Sequence, residues 1–138
     1  METVEFDAGM YNGGIILPGK VLPSDLGWTE PRKERWGRTI KVQCFPLQSV
    51  LLALDNPTVD YFSLDVEGSE FAILKTLDWD KIDISIISVE MNHAGEIFNG
   101  SKEDIHALLE HNGFSYITSA NIDDIFLSTK KKNRKNNL

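Results

Sequence analysis

The chain has 138 residues, 41% of them hydrophobic, with 14 Lys and Arg against 21 Asp and Glu and a formal net charge of −7. That length accommodates one domain with one modest core. The acidic body argues against nucleic-acid binding by the folded part, because phosphate contacts need a basic face, and the single Cys44 rules out a disulfide within the chain.

No apolar run is long enough for a transmembrane segment. The amino terminus lacks the charged-then-apolar order of a signal peptide. The expectation is a cytoplasmic chain, or a piece of a longer product whose targeting segment lies elsewhere.

In chain order, Val4-Glu5-Phe6 precedes Asn12-Gly13-Gly14 and Ile15-Ile16-Leu17, a hairpin or tight-turn signal. Residues 18–38 scatter Pro18, Gly19, Pro23, Gly27, Pro31 and Gly37 among charges and read as a long loop. A loop of that length inside a domain points to a functional or mobile segment. Trp28 and Trp36 fall in it, to cover a ligand or pack the loop down. Residues 39–44 alternate as a strand does, and Cys44 is expected to pack in the core. Leu47, Val50, Leu51 and Leu54 share one face of a short helix, which Asp55-Asn56-Pro57 ends.

A strand is predicted over 59–65, then a glycine turn, then a helix over 69–77 with Phe71, Leu74 and Leu77 on one side. Trp79 is expected to cap the core beside Leu77. A second apolar strand covers 82–90. Ser101 opens a further helix as its N-cap, with Glu103 and Asp104 in the first turn suiting the helix dipole. Ile105, Leu108 and Leu109 face the core and Asn112-Gly113 closes the helix. Residues 114–118 and 124–128 form two last strands. Lys130, Lys131, Lys132, Arg134 and Lys135 make residues 130–138 a basic, disordered tail. Alternating strands and helices predict an α/β fold, with a largely parallel sheet covered by helices on both faces and an antiparallel strand pair at its carboxyl-terminal edge.

The most informative stretch is Leu64-Asp65-Val66-Glu67-Gly68-Ser69-Glu70. An apolar strand runs into two carboxylates, at the end where open α/β sheets bind ligands. Asp65 and Glu67 share a face if the strand continues that far, and they suit a divalent cation or a general base that deprotonates a hydroxyl. Alternatively, Asp65 caps the following helix and Glu67 complements its dipole. Gly68 reads as a backbone requirement. The next strand ends in Glu90-Met91-Asn92-His93. Glu90 and Asn92 complete an oxygen-rich edge with Asp65, and His93 adds an acid/base group. Asp65, Glu67, Glu90 and His93 are therefore the candidate catalytic residues, and no metal site is assigned. His106 and His111, five apart on one helix, lack the one-turn spacing of a ligand pair and read as surface histidines. Asn99-Gly100-Ser101 is a glycosylation sequon that matters only in a secretory parent.

The 64–70 run, the Leu74-Lys75-Thr76-Leu77 helix end and Ser88-Val89-Glu90-Met91-Asn92 resemble FkbM-type methyltransferase domains. The pieces Asn92-His93-Ala94-Gly95-Glu96, Leu108-Leu109 to Asn112-Gly113-Phe114, and Asp123-Asp124-Ile125-Phe126 resemble the animal, Star-like branch of that family. The resemblance covers residues 40–128. It implies a Rossmann-like fold within residues 1–129, S-adenosylmethionine as cofactor, and O-methylation of a small-molecule or glycan-type acceptor. Star-like members are associated instead with trafficking in the secretory and endosomal pathway, through protein partners and without established catalysis. The family's cofactor loop is glycine-rich and follows the first strand. Asp7-Ala8-Gly9-Met10-Tyr11-Asn12-Gly13 has the spacing, but no helix or clear second strand follows before residue 39. Two readings stay open: a cofactor loop, or a chain truncated at its amino-terminal side that begins near the third strand of the parent fold and is inactive alone.

Overall fold

The computed structural model describes residues 3–7, 14–15, 39–95 and 98–130. The 18–38 segment with Trp28 and Trp36, the glycine spacing at 8–13 and the tail beyond Lys130 lie outside the described residues. The described elements are β1 (Thr3–Asp7), β2 (Gly14–Ile15), β3 (Thr39–Gln43), α1 (Leu47–Ala53), β4 (Thr58–Leu64), α2 (Glu70–Leu74), β5 (Asp83–Glu90), α3 (Lys102–His111), β6 (Phe114–Ala120) and β7 (Asp123–Ser128).

Two sheets result. The first has the order β2-β1-β3 and is antiparallel throughout, with Phe6 opposite Ile15 and Val4 opposite Val42. β1 and β2 thus run antiparallel, as a hairpin signal there predicts. β1 hands over to β2 after six residues, too few for the crossover of a dozen or more that a parallel successor needs. β3 pairs with β1 and not with β4, so it stands outside the alternating series that the sequence predicts.

The second sheet has the order β4-β5-β7-β6. Only β4 and β5 pair in parallel; β5–β7 and β7–β6 are antiparallel. β4, β5 and β6 nevertheless point the same way, with β7 reversed between β5 and β6. The tight connection from β6 to β7 through Asn121 (φ 58°) makes these two strands a hairpin, and β7 occupies the slot beside β5. The antiparallel closing pair is as expected; the largely parallel pairing is not.

Helices α2 and α3 pack beside each other, and α3 against β6. Leu74, Ile105 and Leu109 meet Leu64, Ile87, Val89 and Phe126 in one core. Trp79 closes its end, edge-on to Phe114. Ser101 caps α3 in a full capping box with Asp104, as its sequence position predicts. Gly100 (φ 122°) lies against the Phe71 ring with no room for a Cβ, which seats the start of α3 on α2. On the sheet's other face the row Tyr61–Ile86–Leu127 leaves Tyr61 57% and Leu127 46% exposed, so helical cover on both faces is not what the described residues show.

Three smaller expectations change. In α1 only Leu51 is buried, while Val50 and Leu54 are exposed. Cys44 is half-buried and not a core residue. It lines a mainly apolar cavity of about 740 Å³ between α1 and α2, with Leu47, Val50, Ala72 and Ile73. Lys130, assigned to the solvated tail, donates from Nζ to the Trp79 carbonyl at 2.6 Å.

Candidate functional site

The site is built by register. Leu64 pairs with Val89 across parallel β4 and β5, so the next residues, Asp65 and Glu90, leave the sheet side by side. β4 stops at Leu64. Asp65 and Glu67 therefore do not share a strand face, because the strand does not continue far enough to meet that condition. Glu67 (φ 55°) and Gly68 (φ 94°) take left-handed conformations, and the turn they make brings Glu67 into the Glu90–His93 group. Gly68 meets a backbone requirement.

Glu70 holds this turn. Its buried Oε1 accepts from the amide of Val66 at 2.9 Å and of Gly68 at 3.2 Å. Asp65 does not cap α2, whose N-cap is Ser69 with no side-chain hydrogen bond. Sequence reasoning missed this role. Its signal was a carboxylate at the first helical position, with two turn amides just upstream.

Glu90 is 4% exposed. Its carboxyl is pushed up to about 7 by burial first, then by the hydrogen bond to Asp65 and the charges of Asp65, Glu67 and Glu70. Its Oε2 has no hydrogen-bond partner among the described residues. Past β5, the Met91 amide donates to the Ile122 carbonyl at 2.8 Å, which fixes the turn carrying Asn92 and His93. His93 Nε2 lies 3.6 Å from Glu67 Oε2 and 3.1 Å from Asn92 Nδ2. Glu67, Glu90 and His93 each offer one ligand-capable atom, all within 4.8 Å of one another. The structure thus brings Asp65, Glu67, Glu90 and His93 to one sheet edge, with Asn92 exposed at its rim. That edge can accept a proton or hold a cation.

A second polar cluster lies on the helix-covered face. Asp124, 1% exposed, receives His106 Nε2 at 2.6 Å, Lys102 Nζ at 2.9 Å and Ser119 Oγ at 2.5 Å. His106 also packs against the rings of Tyr116 and Phe126. It is not the surface histidine its spacing suggested, whereas His111 is exposed. The overlooked signal is the position of Asp124 on β7, in the same inward phase as Phe126.

Among the described residues no helix is long and apolar enough to cross a membrane. No curated protein and no solved structure matches the chain. The model of the methyltransferase FkbM domain matches residues 4–116. It thereby takes in the amino-terminal segment before residue 40 and stops short of β7. With most of its length inside that match, the chain belongs to the FkbM methyltransferase domain family.

Proposed function

We propose that the chain serves O-methyl transfer from S-adenosylmethionine, and that the β4–β5 edge is its acceptor side. The observation that carries the reading is the convergence of Asp65, Glu67, Glu90 and His93 at the carboxyl ends of two parallel strands in a methyltransferase-family chain. Loss of the acceptor hydroxyl's proton needs a base near neutrality at the reacting oxygen. Glu90, held near 7 and hydrogen-bonded to Asp65, meets that requirement. His93, facing Glu67, is the route by which the proton leaves. The described residues do not fit a strand–loop–helix cofactor cradle after β1, because β2 returns antiparallel within six residues. The chemistry assigned to this edge is therefore proton removal from the acceptor.

Calorimetry of the full chain with S-adenosylmethionine tests the reading. Saturable binding is expected, and Glu90→Gln should retain it. Methyl transfer from labelled cofactor into a small-molecule extract should fall at least ~100-fold in Glu90→Gln. No heat at millimolar cofactor overturns methyl transfer for this chain and leaves the interaction role in membrane trafficking as the reading to pursue.

A further inference from the structure

Glu67, Glu90 and His93 offer two carboxylate oxygens and an imidazole nitrogen within 4.8 Å of one another, with the Glu67–His93 pair at 3.6 Å. Ligands about 2.0–2.2 Å from a tetrahedral cation stand roughly 3.4 Å apart, and cis ligands of an octahedral one roughly 3.0 Å apart. From the 4.8 Å bound the side chains need close in by roughly 1.4–1.8 Å at most. A separate observation points to a ligand. Glu90 is 4% exposed and its Oε2 faces no hydrogen-bond donor among the described residues, a state that buried carboxylates rarely keep. Glu67 is also held at φ 55°, backbone strain of the kind that collects at binding sites. Asn92 Nδ2 lies 3.1 Å from His93 Nε2, and imidazole nitrogens are common metal ligands.

We propose that Glu67, Glu90 and His93 bind a divalent cation of the manganese-to-zinc series, with Glu90 ligating as the carboxylate. The mixed oxygen and nitrogen donors set the class of metal. Three protein ligands leave positions open for an oxygen of the acceptor, and in a metal-loaded edge the cation would acidify that oxygen in place of Glu90 acting as its base. The Asp124 cluster offers no such site, since Lys102 already supplies its cation. The inference rests on reading the β4–β5 edge as the functional site but not on methyl transfer.

The experiment is a manganese titration of the full chain after stripping with chelator, followed by electron paramagnetic resonance. One saturable site is expected, with nitrogen coupling from His93 in the pulsed spectrum. Glu67→Gln, Glu90→Gln and His93→Gln should each weaken binding at least ~10-fold, and His93→Gln should erase the nitrogen coupling. Glu110→Gln, at an exposed position on α3, should change nothing. The Glu67 and His93 variants alter half-buried turn residues and keep the test decisive even if Glu90→Gln fails to fold. No saturable binding below millimolar manganese overturns the proposal, as does binding that His93→Gln and Glu67→Gln leave intact. Manganese binding without cofactor binding supports the site and overturns methyl transfer alone; cofactor binding without manganese binding overturns the metal site alone.

Discussion

Glu90 on β5 and Asp124 on β7 sit one register row apart, with Val89 opposite Asp124 and Glu90 opposite Asp123. Paired residues share a face, so the two acids project to opposite sides of the sheet. Both are nearly inaccessible, and burial disfavours the charge of each. Their surroundings then diverge. For Asp124, hydrogen bonds from Ser119, Lys102 and His106 outweigh burial and hold the carboxyl below its ordinary value. For Glu90, Asp65, Glu67 and Glu70 add to burial and hold it far above. A buried acid with donors all round it is part of the scaffold. One surrounded by other acids costs stability, and such arrangements collect at functional sites.

The largest test of this contrast is removal of the satisfied acid. Asp124→Ala strips the shared acceptor from Lys102, His106 and Ser119 and should cost about 3 kcal/mol in urea unfolding, toward the lower end of broken buried pairs because Lys102 is half-exposed. The pH dependence has a definite sign. A lowered carboxyl gives stability that is present above its ordinary value of 3.8 and is lost as pH falls through the lower folded value. Asp124→Ala should therefore flatten the acid limb of the stability curve and barely alter its neutral limb.

Glu90→Gln comes next and should act in the opposite direction. The folded protein holds a proton on Glu90 that the unfolded chain releases near 4.5, so stability declines as pH rises from there to about 7. In metal-free protein at pH 8 the glutamine variant should be more stable than the parent by roughly 1–3 kcal/mol, with the difference vanishing below pH 4.5. Thermal unfolding at the two pH values checks this. A variant less stable at pH 8 would show that Glu90 is a scaffold acid like Asp124, and the comparison would collapse.

The two sites were unequally legible in the sequence. Strand ends are local features, read from apolar runs that stop at charge, so Asp65, Glu67, Glu90 and His93 could be named before any register was known. Parallel pairing of β4 with β5 then brought them together. The Asp124 site, which joins His106 to an acid 18 residues further on, is assembled by two long-range choices, the insertion of β7 between β5 and β6 and the packing of α3 over that face. No local pattern encodes the first choice, and alternation of strands and helices suggested parallel pairing instead. His106 was judged by its spacing to His111 along one helix, although its partner lies on another element. The left-handed turn at Glu67 was hidden for a related reason: glutamate has no preference for positive φ, and the turn is held by Glu70 accepting from Val66 and Gly68.

That turn gives the smallest expected effect. A non-glycine residue in the left-handed region costs roughly 1–2 kcal/mol, and Glu67 adds its charge to the group around Glu90. Glycine takes the same φ without strain but gains freedom in the unfolded chain, worth about 0.4–1 kcal/mol against it. Glu67→Gly should thus raise unfolding stability by up to about 1 kcal/mol in metal-free protein, read as a small rise in the urea midpoint. Glu67→Gln keeps the strain and removes only the charge, so a gain confined to the glycine variant assigns the effect to the backbone. If both lose manganese affinity while only glycine gains stability, Glu67 occupies its strained position for its carboxylate. If glycine lowers stability, the turn prefers the side chain it has, and Glu67 then belongs with Asp124 among the residues that hold the fold.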